Sequence, residues 1–220
     1  MNITIDCDEV ILTTADALRD FYLERIDPAA DIPKGTYPST WPAINLRDVS
    51  DMGGLDRFKN LLEQFIYSTS FMCVPPMDYA MSSIRKLYST GHNLFVLSAI
   101  GAKYTERRVE QLERIVGRGI FRKIMCIDPI DSKNDIMREY KIDALIDDGA
   151  GNITNAVQAG IHGIFLQCPE NKVIHDAVRS GERLDDIPSF VKCDLGLIRE
   201  RAYIAEDWEQ AVSIINSKIR

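Results

Sequence analysis

Apolar strand segments alternate with amphipathic helix segments over most of this chain, and this alternation limits the fold more than any other feature. After a first strand at residues 3–12, the regular pattern resumes at Tyr79 and continues to Leu166. Strands that are separated by helices form a parallel sheet with right-handed crossovers and helices on both faces. The sequence therefore predicts an α/β protein with a Rossmann-like parallel sheet.

The first strand ends in two carboxylates, Asp6 and Asp8. Residues two positions apart face the same side of an extended chain, so the two acids should lie together at the carboxyl end of the strand. In open α/β sheets this edge is where ligands bind, and adjacent like charges there need a proton or a metal ion between them. Cys7 should point into the fold, and we expect no nucleophilic role for it. The alternative is a loop with solvated acids.

Two later strands also end in polar residues. Ser98 follows the apolar run 94–97, and Asp147 and Asp148 follow the run 144–146. Because the carboxyl ends of parallel strands share one edge of a sheet, these groups should meet the acids of the first strand. A set of carboxylate ligands favours Mg²⁺, a hard cation that is usually shared with a phosphate. Ser98 has an alternative role as the cap of the next helix.

A lysine is expected at the same edge. Lys133 begins a helix shortly before the Asp-Asp strand, and it could deliver an ammonium group there. Lys141 is the alternative, but it lies next to the strand and is more typical of an exposed charge at a helix end. The three histidines are scattered, and none has metal-ligand spacing to another.

Residues 14–77 are predicted to form a mostly helical insertion. The chain is accordingly divided into an α/β core domain, residues 1–13 and 78–220, and a helical cap subdomain, residues 14–77. An insertion at this point should lie over the carboxyl edge, where it can exclude water and select the substrate. Phe21, Tyr37 and Trp41 are candidates for stacking on a planar ligand, and Arg47 for binding its polar edge. Hydrophobic packing is the alternative for the aromatic residues.

Charge and composition exclude several function classes. The net charge of −7 over 220 residues argues against binding to a nucleic acid polymer or to an anionic membrane. The five cysteines include no Cys-x-x-Cys pair, which fits reduced thiols in a cytoplasmic protein. We see no secretion signal and no apolar run near the roughly 18 residues that span a bilayer. A cytoplasmic monomer or homodimer is expected.

These residues resemble the four motifs of the haloacid dehalogenase superfamily of phosphohydrolases. The segment Asp6-Cys7-Asp8-Glu9-Val10 is similar to the first motif, Asp-x-Asp-x-Thr/Val, and the insertion is similar to the type 1 cap of that superfamily. Ser98, Lys133 and Asp147-Asp148 stand at the second, third and fourth motifs.

Within the superfamily the chain looks most like the 5'(3')-deoxyribonucleotidase branch. The segment 145–148 and the helix that begins with Asp207-Trp208 carry this finer resemblance. Glu9 departs from it, because the branch commonly has Gly there, and Gly149 stands where the branch often has Arg. Residues 169–201, which form a less regular stretch, have no obvious counterpart in that branch.

The resemblance implies aspartyl-phosphate chemistry. Asp6 would be the nucleophile and Asp8 the acid and base, while Ser98 and Lys133 would donate to the phosphoryl oxygens. Mg²⁺ would be held by Asp6, by the main-chain carbonyl of Asp8, and by one of the two acids of the fourth motif, Asp147 or Asp148. The choice between those two acids stays open.

The function implied is that of a Mg²⁺-dependent phosphomonoesterase acting on a small phosphorylated substrate. A 5'-nucleotidase acting on ribo- or deoxyribonucleoside monophosphates is the first expectation. A phosphatase or phosphotransferase acting on another small ester, such as a sugar phosphate, is the second. A non-catalytic protein that binds a phosphorylated ligand or a partner protein is the third.

Overall fold

A computed structural model describes residues 1–36, 52–128, 131–182 and 193–219, without the side chains of residues 52–55. Within these ranges six parallel strands form one sheet in the order β3-β2-β1-β4-β5-β6. The strands are β1 (Asn2–Ile5), β2 (Asn93–Ser98), β3 (Phe121–Cys126), β4 (Ala144–Asp147), β5 (His162–Leu166) and β6 (Tyr203–Ala205). The predicted Rossmann-like α/β fold is thus confirmed.

The helices follow the strands in the expected alternation. They are α1 (Thr14–Arg25), α2 (Met52–Ile66), α3 (Thr69–Met72), α4 (Ala80–Ser89), α5 (Thr105–Ile115), α6 (Lys133–Glu139), α7 (Ala150–Gln158), α8 (Lys172–Ser180), α9 (Leu195–Arg201) and α10 (Trp208–Lys218), with a short 3₁₀ helix at Ala102–Tyr104 before α5. No helix of the described residues is long and apolar enough to cross a membrane.

Strand β1 lies in the interior of the sheet, between β2 and β4. Ile5 pairs with Val96 on one side and with Ile146 on the other, and all three side chains are buried. A strand covered on both faces carries a continuous apolar run, which is why this segment is so hydrophobic. The polar residues that follow β1 consequently emerge at the middle of the carboxyl edge.

The first strand is shorter than the sequence predicts, ending at Ile5 rather than Leu12. The main-chain N–H of Asp6 still donates to the Ile146 carbonyl at 2.9 Å, but the chain then turns. The N–H of Ile11 donates to the Cys7 carbonyl at 2.8 Å, and Glu9 has a φ of 59°. Apolar residues continue through the turn because it is buried, so hydrophobicity alone does not mark the end of the strand.

One helix from the C-terminal part of the chain, α10, contacts both the turn and the sheet. Helix α10 packs against α4, β5 and β6, and its first residue, Trp208, is buried. The indole N–H of Trp208 donates to the Val10 carbonyl at 2.7 Å, which satisfies a buried acceptor of the turn. Asp207 caps α10 by accepting from the N–H of Gln210 at 2.7 Å.

The described part of the stretch 169–201 is more regular than the sequence indicates. It contains α8, which ends at Gly181 with a φ of 89°, and α9, which Asp194 caps by accepting from the N–H of Leu197 at 2.9 Å. Val178 and Ile198 are buried in the hydrophobic core together with residues of α7. Helices of seven and nine residues with many charges give a weak periodic signal, so tertiary packing determines them.

The described chain separates into two compact units, Met1–Ile11 with Pro76–Arg220, and Leu12–Pro75. In the second unit, the ring of Phe65 contacts the rings of Phe21 and Phe71, with centroid distances of 5.6 and 5.7 Å. Phe21 is buried, so its contacts favour the packing alternative over ligand stacking. Tyr37, Trp41 and Arg47 lie outside the described residues.

Candidate active site

The carboxyl ends of three neighbouring strands bring together the polar residues that the sequence singles out. Asp6 follows β1, Ser98 ends β2 and Asp147 ends β4. Because these strands are parallel and adjacent in the order β2-β1-β4, their ends lie side by side at one edge. All of the residues discussed below belong to the unit formed by residues 1–11 and 76–220.

Three acids form a compact group at this edge. One carboxylate oxygen from each of Asp6, Asp147 and Asp148 lies within 4.8 Å of the others, and all three residues are buried. Lys133, the first residue of α6, points its ammonium between two of them, with Nζ 2.9 Å from Asp6 Oδ1 and 2.7 Å from Asp147 Oδ2. The exposed Lys141 follows α6 at its other end, as the sequence suggested for it.

Both carboxylate oxygens of Asp147 accept hydrogen bonds from protein donors. Its Oδ1 accepts from the N–H of Gly149 at 2.8 Å and from Asn152 Nδ2 at 3.0 Å. Its Oδ2 accepts from Lys133 Nζ at 2.7 Å and from Asn152 Nδ2 at 3.1 Å. A carboxylate offers about four lone-pair sites, so these contacts fill them. Asp147 can therefore bind a cation only by giving up one of these donors.

Asp148 has contacts through both its main chain and its side chain. Its carbonyl accepts from Asn171 Nδ2 at 2.8 Å, and the same amide group donates to the Leu166 carbonyl at 2.8 Å. The Sγ of Cys168 lies 3.7 Å from Asp148 Oδ2, and burial raises the pKa of this thiol above its ordinary value. Cys168 therefore stays a neutral thiol, which is a weak donor.

The electrostatics of this group favour an added positive charge. Burial raises the pKa of Asp6 to about 7, even though the neighbouring Lys133 lowers it. The nearby charges of Asp147 and Asp8 contribute to this increase. Among the described residues, the carboxylates of Asp6 and Asp147 pair with Lys133, and that of Asp8 pairs with Arg108, while Asp148 adds a fourth acid. An oxygen-only donor set with excess negative charge suits a hard divalent cation.

Asp8 stands apart from the three-acid group and has a different set of partners. Nη2 of Arg108 donates to its Oδ1 at 2.7 Å and to its Oδ2 at 2.8 Å, and Ser98 Oγ donates to Oδ2 at 3.1 Å. Nη1 of Arg108 donates to Gln111 Oε1 at 2.8 Å. Burial alone would lower the pKa of Arg108, but the charge of Asp8 raises it, so the guanidinium stays protonated.

Sequence reasoning missed Arg108, Gln111 and Asn152. One signal was present, because Arg108 lies three residues before Gln111 and four before Leu112, which places it on the buried face of α5. A charged residue on the apolar face of a helix indicates a buried partner. Ser98 is buried and donates to Asp8, and its contact with a phosphate stays a prediction.

Solved structures share this architecture across nearly the whole chain. A haloacid dehalogenase-like hydrolase from Streptococcus pneumoniae matches with a TM-score of 0.62 and 9% identity, covering 97% of each chain. The chain has the haloacid dehalogenase-like fold. A predicted phosphoglycolate phosphatase from Haemophilus somnus matches with a TM-score of 0.59 and 14% identity, covering 97% of this chain and 96% of that one.

A third match has a bound ligand in its structure. CbbY from Rhodobacter sphaeroides, in complex with xylulose-(1,5)-bisphosphate, matches with a TM-score of 0.50 and 17% identity over 74% of this chain and 84% of that one. Neither a scan against family models nor a search among curated proteins returned a match. At these identities the similarity shows the fold, and function has to be argued from the site.

Proposed function

We propose that the protein is a Mg²⁺-dependent phosphomonoesterase that forms an aspartyl-phosphate on Asp6. The observation that carries this proposal is the group of buried acids around Lys133 at the carboxyl edge of the sheet. The similarity in fold to a predicted phosphoglycolate phosphatase supports it. A carboxylate is a sufficient nucleophile when its orientation is fixed and the charge on the phosphoryl group is neutralised.

In the first half of the reaction, an Asp6 oxygen attacks phosphorus and the ester P–O bond breaks. Lys133 holds Asp6 Oδ1 at 2.9 Å, which orients the carboxylate, and its ammonium can also donate to a phosphoryl oxygen. The departing alkoxide takes a proton from Asp8, as general acid catalysis requires. In the second half, Asp8 takes a proton from water, which attacks the aspartyl-phosphate and releases inorganic phosphate.

The donor set fits Mg²⁺. Asp6, Asp148 and the main-chain carbonyl of Asp8 are the groups that we assign to the ion. Asp147 is assigned a different task, to hold Lys133, because its four acceptor sites are filled. When bound, Mg²⁺ neutralises the charge that develops on the phosphoryl oxygens.

Two classes of substrate are considered. Nucleoside 5'-monophosphates come first, because the motifs resemble those of the deoxyribonucleotidase branch. Sugar phosphates come second, since CbbY, which shares the fold, is in complex with a sugar bisphosphate. Phe21 is not proposed as a base-stacking residue, because it is buried against Phe65.

A substrate panel tests this function. Ribo- and deoxyribonucleoside monophosphates and sugar phosphates are incubated with the protein, with MgCl₂ or with EDTA, and released phosphate is measured. We expect metal-dependent release from one class, with kcat/KM at least about 10⁴ M⁻¹s⁻¹ for the preferred ester. Preference for nucleotides supports the first class, and preference for sugar phosphates supports the second. The phosphatase proposal fails if no ester is hydrolysed.

Binding of Mg²⁺ is expected to depend on pH. Because the pKa of Asp6 is raised to about 7, protons compete with the cation for this carboxylate at lower pH. Between about pH 8 and about pH 6, the affinity for Mg²⁺ should fall about tenfold. Calorimetric titration with MgCl₂ at both values measures this effect. Asp6→Asn removes the titrating group, so its weaker binding should change little with pH. Equal wild-type affinity at the two values would contradict the assignment.

A further inference from the structure

Arg108 on α5 is a fully buried cation that the proposed mechanism has not used. Its side chain is 0% exposed, while that of Asp8 is 26% exposed. Arg108 contacts both oxygens of Asp8 through one nitrogen, and Gln111 accepts from its other terminal nitrogen. A substrate in solution therefore cannot reach this guanidinium. Through its contact with Asp8, Arg108 can still influence a residue of the proposed chemistry.

Resting on the proposed function, we infer that Arg108 is a positioning residue that sets the orientation of the Asp8 carboxylate for proton transfer. Proton transfer requires the acid to lie within hydrogen-bond reach of the leaving oxygen. A short carboxylate side chain can rotate, but two donors restrict it, Arg108 from helix α5 and Ser98 from strand β2. The Asp8 side chain also stands outside the group of acids that could hold a metal ion.

If Arg108 has this role, the effect of replacing it should depend on the leaving group of the ester. An alkyl phosphate releases a strongly basic alkoxide, which needs the proton that Asp8 supplies. The leaving group of p-nitrophenyl phosphate departs without a proton, so orientation of the acid matters little to its departure. Because kcat/KM reports the steps up to the release of the leaving group, it isolates the half of the reaction in which Asp8 is an acid. A general loss of folded protein would affect the two esters equally.

The experiment compares Arg108→Met with wild type on the fastest alkyl phosphate of the panel and on p-nitrophenyl phosphate. We expect kcat/KM to fall on the order of 10²-fold for the alkyl ester and less than about tenfold for the aryl ester. Arg107→Met is the matched control, because Arg107 lies on the same helix but pairs with Glu110. It should retain wild-type kcat/KM for both esters. Arg108→Lys, which restores one charged donor, should recover most of the loss.

A second comparison keeps the inference testable if Arg108→Met folds poorly with an unpaired carboxylate. In an Asp8→Asn background the same substitution leaves no such charge. If Arg108 acts through Asp8, the double variant should match Asp8→Asn in kcat/KM within about threefold, since coupled residues are not additive. A further large loss in the double variant would overturn the inference.

The outcomes separate this inference from the proposed function. Equal losses on both esters, or no loss, would refute the role of Arg108 while leaving the phosphatase proposal in place. Failure of the wild-type protein to hydrolyse either ester would refute both. Selective loss on the alkyl ester, together with recovery in Arg108→Lys, supports the inference.

Discussion

Asp6→Asn is expected to lower phosphate release by at least about 10³-fold, because an amide cannot act as the attacking oxygen. The folded state should survive the change. Burial raises the pKa of Asp6, so the metal-free site favours an uncharged group at this position over a carboxylate. The contribution of Asp6 to metal-free stability therefore falls as the pH rises from 3.8, the ordinary pKa of the group, to about 7, its raised pKa in the folded protein. At higher pH, Asp6→Asn should not lower the free energy of unfolding.

The measurement combines steady-state assays with a rapid acid quench after mixing with a ³²P-labelled substrate. Wild type should carry label on the protein during turnover, and Asp6→Asn should carry none. Asp135→Asn is the control, because Asp135 lies exposed on α6 and pairs only locally with Arg138. It should keep wild-type activity within about twofold, because its exposed carboxylate pairs with Arg138 rather than with a residue of the site. Retained turnover and labelling in Asp6→Asn would show that another residue is the nucleophile.

The sheet and its polar edge could be predicted because they depend on local patterns. Alternating strands and helices imply parallel strands, and parallel strands place their carboxyl ends at one edge whatever their order. The positions of Asp6, Ser98 and Asp147 at this edge follow without knowledge of the strand order. The length of β1 does not follow, because the buried turn after Ile5 is as apolar as the strand itself.

The contacts between these groups could not be read from the sequence. Arg108 reaches Asp8 across 100 positions of the chain, and the pairing depends on how α5 is rotated against the sheet. The donors around Asp147 are local by contrast, since Gly149 and Asn152 lie two and five residues away. Even so, their convergence depends on the bend between β4 and α7. These contacts distinguish the two adjacent acids, which the sequence left equivalent.

The two acids at the end of β4 are expected to affect different quantities when they are substituted, Asp147 the stability of the metal-free protein and Asp148 the affinity for Mg²⁺. The carboxylate of Asp147 accepts four hydrogen bonds, two at each oxygen. The amide of Asp147→Asn has one oxygen, so it can accept hydrogen bonds at only one of its two ends. The substitution also takes one carboxylate partner from the buried Lys133. Leaving a buried donor without its acceptor costs about 1–3 kcal/mol, so the metal-free protein should lose about that much unfolding free energy.

Asp148→Asn should instead act on the metal ion. It removes one assigned carboxylate ligand and relieves charge repulsion within the group of acids, so metal-free stability should change by less than about 1 kcal/mol. The affinity of Asp148→Asn for Mg²⁺ should fall by about tenfold to a hundredfold, which is the loss that substitutions around a metal site usually cause. Urea unfolding in EDTA and calorimetric titration with MgCl₂ measure the two quantities separately.

The comparison between these variants decides which acid binds the ion. If Asp147 were the ligand, Asp147→Asn would abolish Mg²⁺ binding in folded protein and Asp148→Asn would retain it. The saturation of Asp147 argues against that result, since a ligating oxygen would have to release Lys133, Asn152 or the Gly149 amide. Lys133 would then lose the contact that directs its ammonium toward Asp6. Separate tasks for the two acids preserve both the cation site and the orientation of the nucleophile.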